Sequence, residues 1–568
     1  MKKNCLFILS ILLTTHLSAQ NKDWLWAKSS YTSNPTTLPI AGRKIITDAA
    51  GDIYVAGYFY KTDIAFDTSA LINNGGSSPF DAFIVKYSSE GAVRWARHIA
   101  GTGNTQSDFI TDLCLDPQGN ILIAGNFNSR FLTLAGTKFT NIYANNNDIF
   151  IAKMNKDGQM LWAKQFGGSA SQNVNNMVCN SAGDIFISGQ FNSFDFSLGA
   201  FGLANKRSDG SYDLFIARLD SAGTPVWAKS YGGKADDGSR ALALGKDGKL
   251  YMGAYTYSDS IQIGNRMLKG GDMIYAVFDS TGANISSIVP GRGEINDIKT
   301  DINGNVLIGG YYWSDSIRFG NIVLHQTYKT NQSGSFFILK NDMNASPVWM
   351  KSGGGTGTGY NQNSVSCLTT DAAGNIYAGC IFFNDSFIVE RYLCRNPYGY
   401  LYLTDMVMLK YSTSGELLWL KEIGGDDEKS VNSACTDKSN DVYFTGNYAS
   451  SCQFGHTIQL QTSVNGANEV FIAKLSSNAT SVNDTYLKKG FVSYPNPTVD
   501  QLTIMTEAGK GPCTIHLVNM QGATMLYNEL IPGDEAAYQV DISSLPSGVY
   551  IVQLVFNDTV LSGKIIKQ

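Results

Sequence analysis

The sequence predicts an all-β chain: seven repeated four-stranded units, then a smaller β domain at the C-terminal end. Three observations carry that reading. Two hairpin-like segments alternate along most of the chain, a Trp-centred strand stands alone near the N-terminus, and the texture changes after Phe491. Composition agrees. Among 568 residues, 58 Gly and 29 Tyr with only 16% charged positions favour strands and tight turns over helices. Hydrophobic residues at 43% exclude a disordered chain. The formal charge of −5 and the lack of any basic run exclude a nucleic-acid partner from the expectations.

The first element is "MKKNCLFILSILLTTHLSAQ". Two lysines, an apolar run from Cys5 to Leu13 and the small exit Ser18-Ala19 form the layout of a secretory signal over 1–19, cut after Ala19. The run is too short to span a bilayer, and no later stretch reaches 18 apolar residues, so no transmembrane segment is expected.

The repeat follows. "TDAAGDIYVAGYF", "LDPQGNILIAGNF", "CNSAGDIFISGQF", "TDINGNVLIGGYY", "TDAAGNIYAGCIF" and "TDKSNDVYFTGNY" each place a turn between two apolar-alternating runs, with a weaker copy in "GKDGKLYMGAYTY". The second segment has rigid spacing: an acid, Lys or Arg five later, Gly five beyond, Trp four beyond that, as in Asp148, Lys153, Gly158 and Trp162. Two hairpins give strands A to D in a unit of about 65 residues. Strand C recurs at Asp81, Asp148, Asp213, Asp272, Ser335, Asp405 and Glu469. The fourth copy carries Val277 and Ser286 for the Lys and Trp, the fifth carries Ala345 for the Gly, and the seventh stops without a Trp strand.

Four-stranded units repeated radially make a β-propeller, and a ring must close or expose its edges. "WLWAK" around Trp26 is therefore expected to supply strand D of the seventh unit and close the ring; an open solenoid is the alternative. The expected divisions are signal peptide 1–19, seven-bladed propeller 20–478, linker 479–490 and a C-terminal β-sandwich 491–568. The recurring Trp is expected to pack between neighbouring blades, and the Asp and Lys of strand C to bond turn backbones.

The tail holds Tyr494-Pro495-Asn496-Pro497, Leu545-Pro546-Ser547-Gly548-Val549-Tyr550 and Lys564-Ile565-Ile566-Lys567. These three ordered motifs resemble the C-terminal sorting domain of type IX secretion cargo in Bacteroidetes-type bacteria. The resemblance implies handling by the type IX machinery, a secreted or outer-membrane-surface location, and sorting roles for Pro495, Asn496, Pro497, Gly548, Tyr550 and Lys564. The propeller units look like bacterial β-propeller repeats of many exported proteins, whose members share no single activity, so that likeness implies fold alone.

Little catalytic chemistry is written in the sequence. His98, His325, His456 and His516 occupy non-equivalent columns with no HExxH spacing, and no G-x-S-x-G elbow or P-loop occurs. Neither metal nor cofactor is expected. Asp301-Ile302-Asn303-Gly304-Asn305 suggests a calcium loop but lacks its downstream Glu and falls on the repeating turn. "SGGGTGTGYNQ" reads as a blade connection rather than a phosphate cradle. Cys367 and Cys380 flank one hairpin at roughly facing positions, which leaves a cross-strand disulfide open; Cys114, Cys179, Cys435 and Cys513 read as small buried residues.

Two functions stay open: a monomeric surface module binding a glycan or protein, and a propeller-funnel enzyme. For the second, "YSSEGAVRW" and "YSTSGELLW" resemble the Trp-docking repeat of quinone-dependent dehydrogenases, but that family usually has eight blades and vicinal cysteines; a polysaccharide-active enzyme would need convergent carboxylates. The binding face is expected where the D-to-A and B-to-C connections vary, with Asp236, Asp237, Asp426 and Asp427 as candidate ligand contacts.

Overall fold

In the computed structural model, the described residues are 23–33, 40–479 and 491–567. Short breaks fall at 61, 74–79, 103–106, 142, 144–145, 206–209, 327–333, 356–362, 384–385, 391, 396–403, 456, 463–466, 495–497, 507–512, 520–522, 531–536 and 556–559. The expected signal, all of the expected linker 479–490 after Ala479, and Pro495, Asn496 and Pro497 lie outside them.

Every described element is a strand, and seven sheets share one plan. In sheet 1, strands A (Ile40–Thr47), B (Ile53–Phe59), C (Asp81–Tyr87) and D (Val93–Ile99) lie side by side in that order, all antiparallel. Sheets 2 to 6 repeat the order within 108–166, 172–231, 237–288, 293–354 and 364–424. Sheet 7 takes strands A to C from Lys429–Thr436, Val442–Ala449 and Asn468–Leu475, and its fourth strand is Trp24–Ser29. Trp26 stands opposite Lys474, the register in which Trp95 faces Lys86 and Trp162 faces Lys153.

Strands B and C are buried on both faces, as in Asp81–Tyr87, because each sheet is covered by a neighbour on either side. Strand D is half-buried or exposed along most of its length and lies on the outside of the four. Strand A is innermost. It packs against strand A of the next sheet throughout, and that of sheet 7 packs against that of sheet 1. Each strand A skips one residue in its pairing to B, at Arg43, Thr111, Asn175, Arg240, Asn296, Ser366 and Asn432. A bulge bends and twists the strand locally, here at one place in every inner strand.

The B-to-C connections, read from sequence as variable loops, each carry a short hairpin. Asp63–Phe66 with Ser69–Ile72, Phe131–Leu134 with Thr137–Thr140 and Ser260–Ile263 with Arg266–Lys269 are three of seven among the described residues. Their inner faces are apolar and buried (Ile64, Phe66, Leu132, Leu134, Ile261, Ile263). Five of these hairpins bond to chain at or past the end of strand D of the preceding sheet: Thr102 faces Phe131, Gly353 faces Val389, Ile423 faces Phe454, the Arg318 amide donates to the Pro290 carbonyl, and Tyr31 bridges Ala65. The last contact runs from the strand completing sheet 7 to sheet 1.

The tail has two sheets. Phe491–Tyr494, Gln501–Thr506 and Ala537–Asp541 form one; Cys513–Asn519, Thr524–Leu530, Gly548–Val555 and Val560–Lys567 form the other. Leu502, Ile504 and Val540 from the first share one apolar cluster with Ile515, Leu517, Val552 and Ile565 from the second.

The Cys367–Cys380 disulfide that the sequence left open is not formed. Cys367 faces Gly379 and Cys380 faces Val365, because the bulge at Ser366 shifts the register, and both thiols are free. They enter different cores, on opposite faces of the sheet.

Candidate functional site

The two ends of the sheets are chemically different. At the end carrying the A–B and C–D turns, one residue set recurs and satisfies itself. Asp48 opens the A–B turn, its carboxylate accepting from the amides of Ala50 and Asp52. Asp116, Asp371 and Asp437 do the same in sheets 2, 6 and 7. Asp301 is another copy: its carboxylate takes the amides of Asn303 and Asn305 and the Asn305 side chain, which settles it as a turn. The strand C cation pairs with this turn, Lys86 to Asp52 at 2.9 Å, Arg218 to Asp184 at 2.7 Å, Lys474 to Asp441 at 3.1 Å.

The recurring Trp ties this end to the next sheet. The indole N–H of Trp26, Trp95, Trp227 and Trp349 donates to a carbonyl in the following C–D turn: Ser89, Lys156, Ser280 and Thr413. The turn glycine lies flat under the ring. A Cβ at Gly91, Gly223 or Gly415 would come within 3.2, 2.8 or 2.9 Å of Trp26, Trp162 or Trp349. Trp26 is half-buried against Tyr443; the residue sequence reasoning missed is Trp24, which is buried against Phe454 and Phe444. Its signal was legible, since it precedes the Trp column by two in the only copy with an aromatic there.

Along the inner strands, polar side chains are committed between sheets. Lys44 pairs with Asp112 at 2.7 Å, whose other oxygen accepts from the Met177 amide. Asp297 accepts from the Leu368 amide, Asn175 donates to the Ser239 carbonyl, and Asn432 donates to Gly42. The last contact again joins sheet 7 to sheet 1.

At the opposite end, buried acids open strands A and C and hold the connections. Asp108 accepts from the Gly101 amide and the Ser129 hydroxyl; Asp148 accepts from Gln165. Burial pushes both carboxyls up to about 6. Asp405 is pushed up to about 7 by burial, with Lys429 opposing at 3.7 Å.

The four candidate acids fall here and divide into two kinds. Asp237 is buried, accepts from the Gly233 amide at 2.7 Å and Ser258 at 3.0 Å, and burial raises it to about 6. It is the equivalent of Asp108. Asp427 sits at φ 69°, accepting from Glu428 N and Ser450 Oγ. Asp236 is half-buried, with one oxygen on the Tyr212 amide, and Asp426 is exposed beside Ser451. Asp236 and Asp426 thus reach solvent, while Asp237 and Asp427 fasten loops.

Sequence reasoning also missed an aromatic pair at the end of strand B, Tyr255 with Tyr257 and Tyr311 with Trp313, at ring separations of 5.3 and 5.4 Å. No helix of the described residues is long and apolar enough to cross a membrane, and no group of three His, Cys, Asp or Glu side chains among them could hold a metal ion.

In the tail, Gly548 opens the strand Gly548–Val555, and Tyr550 is buried with its hydroxyl donating to the Pro546 carbonyl at 2.7 Å. That bond folds Leu545–Tyr550 back on itself. Lys564 is exposed on the final strand opposite Ile551. Residues 492–568 match the family described as the secretion system C-terminal sorting domain. The tail is a type IX sorting domain. The protein is therefore exported by that route to the cell surface or the extracellular space.

Two curated relatives match part of the chain. One is the regulatory protein FlaEY of Caulobacter vibrioides, 26% identical over 113 residues, covering 20% of this chain and 12% of that protein. The other is an uncharacterized WD repeat-containing protein, L264, of Acanthamoeba polyphaga mimivirus, 27% identical over 174 residues, covering 26% and 12%. The matched part is about an eighth of either relative's length. Similar solved structures include the Dos1 propeller (10% identity, 76% of each chain, TM-score 0.36). Others are a puromycin hydrolase variant (10%, 84% and 59%, TM-score 0.40) and a gluconolactonase from Xanthomonas campestris (10%, 78% and 96%, TM-score 0.27).

Proposed function

We propose that the seven sheets close into a seven-bladed β-propeller over residues 20–478. In this reading residues 1–19 are a signal peptide, 479–490 a linker and 491–568 a small β-sandwich. The cyclic contact of inner strands, the Trp24–Ser29 pairing and the Tyr31–Ala65 bridge support the ring. Pro495, Asn496, Pro497, Gly548, Tyr550 and Lys564 serve as sorting determinants read by the secretion machinery.

The exported propeller acts as a binding or adhesion module for a glycan or protein. The observation that carries this is the asymmetry between its ends. The turn end is the same in nearly every sheet and spends its polar groups internally, whereas the connection end differs from sheet to sheet on the same rigid frame. An enzyme is the weaker reading. The four carboxyls raised by burial sit at separate strand starts and are engaged with their own loops, so they do not converge on one substrate.

The test is a screen of the exported protein against immobilised glycans and extracellular matrix proteins. Saturable binding without turnover is expected. Conversion of a bound polysaccharide, or quinone-dependent oxidation of an alcohol, would replace the module with an enzyme.

A further inference from the structure

Two positions at the end of strand B, two residues apart, show what distinguishes the sheets. In sheets 2 and 3 they are Asn126 and Asn128, and Gln190 and Asn192. These amides bond within the protein: Asn126 accepts from the Val174 amide of the next sheet, Gln190 from the Tyr255 hydroxyl, and Asn128 and Asn192 from the amides of Ser107 and Ser171. In sheets 1, 4 and 5 the same positions are aromatic: Tyr58 and Tyr60, Tyr255 and Tyr257, Tyr311 and Trp313. An aromatic ring cannot take over the amide's bonds, so it must either be covered or face outward.

In sheet 1 two phenylalanines pack on the pair, whose rings both stay half-buried. Phe80 and Phe109 lie 4.8–5.3 Å from the rings of Tyr58 and Tyr60. In sheets 4 and 5 each pair instead packs within itself. Tyr255 and Tyr311 are 9% and 6% exposed and form a floor, while Tyr257 above them is 55% exposed and Trp313 is half-exposed. The floor is fixed: Tyr255 donates to Gln190 at 2.8 Å, and the Arg240 guanidinium lies 5.1 Å from its ring. Arg240 pairs with Glu294 at 3.0 Å and bridges the two sheets. Arg292 pairs with Asp272 at 3.1 Å, and Asp236 takes the Tyr212 amide. Glu294, Arg240, Asp272 and Asp236 all lie near enough to the Tyr257 hydroxyl to act on it electrostatically. The two sheets thus build one patch.

We propose that this patch is the ligand site of the propeller and that its ligand is a neutral glycan. The inference rests on the binding-module reading above and names its ligand. The electron-rich faces of Tyr257 and Trp313 suit the C–H face of a pyranose ring. Planar carboxylates and guanidinium groups at fixed spacing suit vicinal hydroxyls. Arg240 and Arg292 are each already matched by an acid, and Glu294, Asp272 and Asp236 outnumber them, which disfavours a uronate or sulfated sugar. The buried lower rings hold the upper ones in place before binding, which spares ordering entropy.

The exported full-length protein would be titrated calorimetrically with cello-, xylo- and mannohexaose, and with galacturonate and alginate hexamers as charged counterparts. At least one neutral series should bind saturably. Tyr257→Ala and Trp313→Ala should each weaken it about tenfold or more. Tyr257→Phe and Trp313→Tyr should restore it to within about threefold, Tyr60→Ala should leave it unchanged, and the melting temperature should not move. Neutral-glycan binding that survives both Ala variants would place the site elsewhere and leave the module reading standing. Binding of the acidic hexamers alone would overturn the ligand class. Binding of none would overturn this proposal, and the matrix-protein arm of the screen would then decide whether the protein is a binding module at all.

Discussion

Sheet 7 and sheet 4 solve the same packing problem under opposite conditions. In sheet 4 strand D follows strand C through a short turn, yet the recurring set is gone: Gly245 replaces the turn acid, Val277 the cation and Ser286 the Trp. In sheet 7 strand D is Trp24–Ser29, far from strand C in sequence, and the set is complete in Asp437, Lys474 and Trp26. It is also reinforced. Trp24 fills the core, Ser30 bonds to Glu469, Ser29 meets the Tyr448 hydroxyl at 2.7 Å, and Asp23 pairs with Lys421 of sheet 6 at 2.6 Å. Closing a loop of several hundred residues costs roughly 4 kcal/mol more than closing a four-residue turn. Where a turn already ties the strands, the side-chain set can be lost; where none does, side chains must hold the strand.

The largest effect should come from breaking sheet 7. Removing residues 23–30 strips strand C of its partner and uncovers Phe454 and Phe444, and the chain should fail to melt cooperatively in calorimetry. Trp24→Ala should cost roughly 3–5 kcal/mol as a buried aromatic truncation, and half-buried Trp26→Ala less. The analogous truncation of Ile288 in strand D of sheet 4 should cost less than either. If Trp24→Ala melts like the parent, the strand is not held by its side chains.

A smaller effect would sharpen the comparison from the other side. Ala345 holds φ 62° in the C–D turn of sheet 5, at the column where sheets 1 to 4 and 6 have Gly. That column faces the Trp of the preceding sheet, and sheet 4 has none, so a Cβ is tolerated. Ser286→Trp alone should gain nothing, because the ring meets this Cβ. Paired with Ala345→Gly it should stabilise, with a coupling of about 1 kcal/mol in a double-mutant cycle. Simple additivity would show that the two columns are independent.

These contrasts also mark what was legible. Strands A to D and the partner of Trp26 could be read because turn residues and a rigid acid–Lys–Gly–Trp spacing are written locally. The B-to-C hairpins were missed although "SIQIGNRMLK" and "SIRFGNIVLH" alternate around a turn glycine; lying between stronger strands, they passed for connections. Asp237 was read as a candidate ligand contact on a variable connection because sequence shows two adjacent acids, not that one opens a buried strand. The Tyr257 and Trp313 patch needed the sheets side by side, since its members come from two units and look like ordinary strand ends in each.

The smallest expected effect compares the ends of the sheets through pH. At the connection end, burial raises Asp108, Asp148 and Asp237 to about 6 and Asp405 to about 7, from an ordinary 3.8. The folded protein then holds protons that the unfolded chain has released, so between about pH 4 and 7 stability falls as pH rises. At the turn end the sign is reversed. Asp116 is held below the usual range: although burial opposes it, Lys153 and the turn amides favour its charge, so its contribution persists above 3.8 and fades in stronger acid. The melting temperature should therefore rise by roughly 2–4 °C on acidification from pH 7 to 5 and drop below pH 4. Asp108→Asn, which fixes the uncharged shape, should flatten the upper slope and leave the lower limb alone. A melting temperature that instead increases steadily from pH 5 to 7 would mean that the connection-end acids are solvated, and that the loops they hold are not anchored by buried carboxyls.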